Sequence, residues 1–251
     1  MNILLTNDDG YGAAGLEALY DALSEYNDLT VIAPASNRSG YSARITMNRK
    51  LELVCHGKNR YSLDGSPVDC VIAGLRSDLC GGIPDLVISG INHGYNLGTD
   101  IIYSGTCGAA KQACVNGIPA LALSVEGSSF KAMASFASKN LELLCSLCGG
   151  KSKSWGNELE YFVNVNGTSL DAYKGVQFTS LCYRSYNDNV IAEKEDSRTF
   201  FSITGGGSIV SEGSEDNDYI AAEKGYISVS LVSPGPGLNR SPQSCSGNFI
   251  L

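Results

Sequence analysis

Two carboxylates, Asp8 and Asp9, follow the short apolar run Asn2–Thr6 and stand directly before Gly10-Tyr11-Gly12-Ala13-Ala14-Gly15. The glycine spacing is G-x-G-x-x-G, that of a loop that lays a pyrophosphate on bare backbone N–H groups at a helix amino end. The two charges oppose that use. Unit charges about 4 Å apart interact by roughly 4 kcal/mol at an effective dielectric of 20, and here the interaction repels phosphate. A dinucleotide site also needs an acid at the end of the second strand to hold the ribose. The second apolar run ends Ile32-Ala33-Pro34-Ala35-Ser36, with no acid in place. A hard divalent cation, Mg²⁺ or Mn²⁺, removes the conflict: it takes oxygen ligands and keeps positions open for water and phosphate. The bland alternative is a pair of carboxylates capping the next helix, which suits one Asp better than two.

Neutral oxygen donors recur on two further glycine-rich loops. Ala35-Ser36-Asn37-Arg38-Ser39-Gly40 follows the second strand, and 90–100, with Asn92 and Asn96, follows the third. Hydroxyl and amide oxygens complete a hard metal's shell beside two carboxylates. Tyr103-Ser104-Gly105-Thr106 then leads into an alanine-rich helix. Free N–H groups at that helix start, with the hydroxyls of Ser104 and Thr106, suit a phosphate; ordinary N-capping is compatible with that role.

The elements that must gather these loops alternate. Strands are expected at Asn2–Thr6, 29–33, 85–89 and 120–125, and helices at 13–26, 68–75, 106–115 and 130–148. Such alternation implies an α/β, Rossmann-like, doubly wound and mainly parallel sheet, which binds ligands beyond the carboxyl ends of its strands. After about residue 150 the pattern turns to β, with strands at 161–165, 176–180 and 225–232. A hairpin is expected from 199–204 and 208–210 across Gly205-Gly206-Gly207, followed by an acidic loop over 211–218 and an irregular tail over 233–251.

Composition narrows the function. The 251 residues carry a net charge of −8 and are 43% apolar. That allows a substantial core and opposes binding to a nucleic-acid duplex or an anionic membrane, which needs a basic face. No signal segment and no run long enough to span a membrane is read, so a cytoplasmic enzyme with reduced thiols is expected. Only two histidines, His56 and His93, are present. Sites built on two or three histidines are therefore disfavoured.

Five blocks then occur in register: Thr6-Asn7-Asp8-Asp9-Gly10; Ala33-Pro34 with Asn37-Arg38-Ser39-Gly40; Gly65-Ser66-Pro67-Val68-Asp69-Cys70-Val71; Ser89-Gly90-Ile91-Asn92-His93-Gly94-Tyr95-Asn96-Leu97-Gly98; and Tyr103-Ser104-Gly105-Thr106. In these the chain resembles the survival protein SurE family of metal-dependent 5′-nucleotidases, strongly over 1–125 and weakly beyond. The resemblance implies a single domain over 1–251, with a Rossmann-like core (1–150) and a C-terminal β extension whose hairpin is exchanged in a homodimer or homotetramer. It implies one divalent cation per subunit, held by Asp8, Asp9, Ser39 and Asn92, with Asn96, Ser104, Gly105 and Thr106 near the substrate phosphate. Asp8 and Asp9 are the catalytic pair it points to. The implied reaction is hydrolysis of nucleoside monophosphates, with some activity on 3′-nucleotides and polyphosphate; the first acceptor of the phosphoryl group is either water or an Asp carboxylate, which would give an aspartyl-phosphate. Ser42-Ala43-Arg44 and Gln112-Ala113 depart from the family pattern. They leave a non-catalytic nucleotide-binding stress adaptor as the alternative, and Arg44 as either a phosphate contact or a surface residue.

Overall fold

A computed structural model describes residues 1–148, 159–186, 188–205 and 210–235. The first half is β1 (Asn2–Thr6), α1 (Ala14–Leu23), β2 (Asp28–Pro34), β3 (Leu53–Gly57), β4 (Arg60–Leu63), α2 (Pro67–Arg76), β5 (Leu86–His93) and α3 (Gly105–Val115). The second is β6 (Ala120–Glu126), α4 (Lys131–Lys139), α5 (Leu141–Leu147), β7 (Phe162–Thr168), β8 (Val176–Phe178), β9 (Tyr183–Ser185), β10 (Asp188–Glu195), β11 (Arg198–Gly205), β12 (Val210–Glu212), α6 (Asp218–Glu223) and β13 (Ile227–Val232).

Nine strands form one sheet in the order β3-β4-β2-β1-β5-β6-β7-β13-β8. From β4 to β7 every neighbour is parallel, and β3 and β13 pair antiparallel with β4 and β7. The expected α/β, mainly parallel architecture is what forms. Side chains alternate across the sheet, so β1 sends Ile3 and Leu5 to one face and Leu4 to the other. On the first face they meet Leu16, Leu19 and Leu23 of α1 and Met133 and Leu144 of α4 and α5. On the second, Leu4, Ile32 and Val87 meet Cys70 and Val71 of α2 and Ala109, Ala110 and Ala113 of α3. The small residues of α3 let its backbone lie close to the sheet, which brings its amino end to the carboxyl ends of β1 and β5.

Four expectations are revised. The helix expected over 130–148 is two helices, because Asn140 ends α4 and turns its amide back onto the Phe136 carbonyl (2.9 Å). β3 and β4 add an edge ladder that the exposed, polar-rich sequence did not announce. The hairpin pairs Asp188–Glu195 with Arg198–Gly205, so its turn is Asp196-Ser197, with Asp196 at φ +54°. A short polar side chain tolerates that left-handed conformation. Val210–Glu212 pairs instead with Tyr183–Ser185, so the acidic stretch begins as strand and ends at the start of α6. Gly206, Gly207 and residues 208–209, with the tail from 236 onward, lie outside the described residues.

The amino end of α2 carries a capping box. Ser66 Oγ accepts the Asp69 N–H (3.1 Å), and Asp69 Oδ2 accepts the Ser66 N–H (2.8 Å). Asp69 Oδ1 also takes the Thr46 N–H at 2.9 Å. Burial pushes this carboxyl up, but the hydrogen bonds from Ser66 and Thr46 outweigh it and hold it below the usual carboxylate value. A depressed carboxylate contributes stability above its unfolded pKa of about 3.9 and loses it as pH falls through the folded value. Asp69→Asn is expected to cost about 1–3 kcal/mol at pH 7. In urea titrations the variant should also lose less stability than the parent protein between pH 5 and pH 2.

Candidate active site

The first loop is shaped by its own side chains. The Asn7 amide donates to the Gly10 carbonyl (2.9 Å) and its oxygen accepts the Gly10 N–H (3.2 Å), closing a turn in which Gly10 sits at φ +110°. Few residues other than glycine adopt that backbone. The turn places Asp8 at the amino end of α3, where its Oδ1 accepts a hydrogen bond from the Thr106 hydroxyl. Asp8 also takes the backbone N–H of Thr106. The helix dipole favours a negative charge there. Gly105 makes the approach possible: a Cβ at that position would stand 2.8 Å from Asp8 Cβ and 2.9 Å from its Oδ2.

The other loops are stitched to this one. The Arg38 N–H donates to the Asp8 carbonyl (2.7 Å), which brings Ser39 alongside, and the His93 N–H donates to Asp9 Oδ2 (3.0 Å). The Asn92 amide nitrogen is spent on the Gly94 carbonyl (2.8 Å), leaving its oxygen as the group available to a cation. Asn96 is held by three polar residues of neighbouring strands. Its N–H reaches Asn166 Oδ1 (2.8 Å), its side-chain amide donates to Ser124 Oγ (2.8 Å), and its carbonyl accepts from Asn164 (2.8 Å) and Asn166 (3.2 Å). Ser104 Oγ accepts the Cys107 N–H (3.0 Å), which leaves its own O–H free to be donated.

One cavity of about 300 Å³ unites these groups. Asp8, Ser39, Asn92, Asn96 and Ser104 line it, together with Tyr95, Asp100, Tyr103 and Tyr186. Asp9, Gly105 and Thr106 stand behind the lining: Asp9 on His93, and Gly105 and Thr106 against Asp8. Asp8 is 3% exposed. Burial pushes its carboxyl above the usual value; hydrogen bonds from Thr106 oppose this, and the neighbouring Asp9 charge adds to it. None of the lining residues is Lys or Arg. Arg44 is not among them; its guanidinium lies 5.2 Å from the Tyr41 ring centroid. Asp100 in the lining is paired with Arg184, but no salt bridge among the described residues balances Asp8, which faces hydroxyl and amide oxygens and the His93 ring. That donor set fits a hard divalent cation. Among the described residues no group of three or more His, Cys, Asp or Glu gathers to hold a metal ion, so a cation here would depend on the neutral oxygens of Ser39 and Asn92 as well as on the carboxylates.

The two asparagines of β7, Asp100 and the three tyrosines were not assigned to the site from sequence, although Tyr95 and Tyr103 stand in the blocks that carry the resemblance. Asn164 and Asn166 carry a readable signal, since two polar residues at period two in an apolar strand place a polar pair on one buried face. Tyr186 carries none, because it reaches the cavity from a segment far along the chain. The C-x-x-C of Cys145 and Cys148 is structural: Cys148 is buried with its sulfur 3.3 Å from the Ala120 carbonyl.

Known proteins resemble this chain in sequence and in fold. The family described as Survival protein SurE matches residues 3–188. The 5′-nucleotidase SurE of Gemmatimonas aurantiaca is 36% identical over 231 residues, covering 91% of each chain. That of Geobacter sulfurreducens is 36% identical over 235 residues, covering 91% of this chain and 86% of its own. The crystal structure of the SurE protein from Aquifex aeolicus superposes with a TM-score of 0.75 at 32% identity, covering 93% of both chains. The chain belongs to the survival protein SurE family.

Proposed function

We propose that this protein is a metal-dependent 5′-nucleotidase, which hydrolyses nucleoside monophosphates to nucleoside and phosphate. Its relatives carry that name, and one observation in this chain supports it above the others. A buried carboxylate, Asp8, sits on a helix amino end in a polar cavity whose lining contains no Lys or Arg. Such a cavity accepts a phosphate ester once a cation is present, and repels it otherwise.

Asp8, Asp9, Ser39 and Asn92 would hold Mg²⁺ or Mn²⁺. Bound there, the ion would supply a Lewis acid for a phosphate oxygen and lower the pKa of a water. The remaining work falls to the chain. Ser104 donates its free O–H to the phosphate, and Asn96 offers its remaining amide N–H, both held in place before charge develops. Gly105 and Thr106 form the helix end behind them and fix Asp8. Asp8 and Asp9 orient the attacking water, and one of them takes its proton. The water oxygen bonds to phosphorus as the ester P–O bond breaks, and the leaving oxygen takes up the proton that the aspartate accepted, so the nucleoside departs as its alcohol. 3′-Nucleotides and polyphosphate are proposed as secondary substrates.

The chain is proposed to act as a single domain that assembles as a homodimer or homotetramer in the cytoplasm, without nucleic-acid or membrane partners. No described helix is long and apolar enough to cross a membrane. The assembly rests on β10 and β11. Cross-strand partners Val190 and Ile203 share a face with Phe201, and the three are 60, 76 and 68% exposed. A lone two-stranded ribbon is marginal in water, and an apolar patch on it marks a contact surface.

Three outcomes test this reading. AMP and GMP should release phosphate with Mg²⁺ or Mn²⁺ and cease to do so with EDTA; nucleotide binding with no metal-dependent release would favour the adaptor. Asp8→Asn should lower kcat by about 10²–10⁴ while the thermal melt stays cooperative, and near-parental turnover would contradict the site. Phe201→Asp with Ile203→Asp should shift the protein toward monomer in light scattering.

A further inference from the structure

We propose that Tyr186 and Tyr103 form a base-stacking subsite at the mouth of this cavity. The preferred substrates would then be phosphate esters that carry a flat aromatic ring beyond the sugar. The proposal rests on the nucleotidase reading above and says which part of the substrate the chain recognises.

Both rings line the same cavity as Asp8, Asn92 and Ser104. They are large and left open to solvent, Tyr103 64% exposed and Tyr186 41%. Neither is loose. The Tyr186 hydroxyl donates to Asp100 Oδ1 (2.6 Å), and Asp100 Oδ2 takes Arg184 Nη1 at 2.5 Å. The Arg184 guanidinium lies 5.8 Å from the Tyr186 ring centroid and 5.6 Å from that of Tyr219. The Arg184 backbone is pinned in turn: its carbonyl accepts the Thr99 hydroxyl at 2.5 Å, and its N–H donates back to the same oxygen at 3.1 Å. The Asp100 carbonyl also accepts the N–H groups of Tyr103 (2.9 Å) and Ser104 (3.1 Å), which fixes the backbone that carries the second ring. One residue thus ties down the Tyr186 side chain and the main chain of Tyr103 and Ser104.

A mostly buried ion pair such as Asp100 with Arg184 is a poor source of stability, because desolvation offsets its attraction. Its consequence here is geometric: it fixes exposed aromatic faces beside a phosphate-sized cavity. With the phosphate against Ser104 and Asp8, the sugar leads outward and the base arrives at the rings. Stacking reads the face of a base and not its edge, so it tolerates every base. AMP, GMP, CMP and UMP should all be accepted, with purines bound more tightly through their larger face.

The test compares AMP with ribose 5-phosphate, which keeps the sugar and phosphate and lacks the base, under Mg²⁺. The parent protein should show a KM for AMP about tenfold or more below that for ribose 5-phosphate. Tyr186→Ala should bring the two KM values about tenfold closer together, and Tyr186→Phe should restore most of the difference through its ring. If Tyr186→Ala does not fold, Tyr103→Ala reads the same ratio. An unchanged ratio in the variant, or equal KM values in the parent protein, overturns the subsite and leaves the hydrolase reading standing. Failure of the parent protein to release phosphate from any nucleotide or sugar phosphate, with either metal, overturns both.

Discussion

The carboxylate of Asp8, held out of water against the first turn of α3, is the constraint around which the molecule is arranged. A buried charge is tolerated only where dipoles, hydrogen bonds or a counter-ion stabilise it. Thr106 and the end of α3 supply the first two. They do not suffice to return its pKa to the ordinary range, since burial and the Asp9 charge both act against them. The remaining imbalance is what a divalent cation is proposed to correct, and that correction would let a chain of net charge −8 grip an anionic substrate.

The rest of the fold serves to keep that arrangement fixed. The parallel sheet brings the ends of β1, β2 and β5 to one edge, and single backbone bonds then lock the loops together: Arg38 to Asp8, and His93 to Asp9. The helix α3 reaches this edge because its buried face is built from small residues: glycine, alanine, cysteine and one threonine. A larger residue at 105 would strike Asp8 itself. Behind the loop that carries Asn96, the amides of Asn164 and Asn166 and the hydroxyl of Ser124 form a buried polar network in which the Asn96 backbone is satisfied. Such a network rigidifies a site when its members are paired.

Much of this was legible in the sequence, for physical reasons that differ by element. The central strands are near-continuous apolar runs, the mark of parallel strands buried on both faces; the ends of β1, β2 and β6 agree with expectation to within a residue, while β5 and β7 run on to His93 and Thr168, four and three residues past it, where polar residues hide the continuation. The twin acids were legible because two like charges at one turn demand an explanation. The edge ladder of β3 and β4 was not, since β3 is exposed along its whole length and carries no periodic apolar signal. The hairpin turn was misplaced because three consecutive glycines outweighed Asp196-Ser197, although the register of the ribbon is set by Val190 facing Ile203. Tyr186 and Arg184 were invisible for another reason. Their position at the cavity comes from long-range contacts to Thr99 and Asp100, more than 80 residues away in the chain, and local pattern says nothing of such contacts.

The central claim is that a hard cation balances Asp8 and Asp9. Anomalous diffraction from crystals soaked in Mn²⁺ tests it most directly. The account predicts one strong peak per subunit, in contact with the oxygens of Asp8 and Asn92 and within reach of Asp9 and Ser39. An empty cleft at saturating Mn²⁺, or manganese bound only elsewhere on the surface, would contradict it.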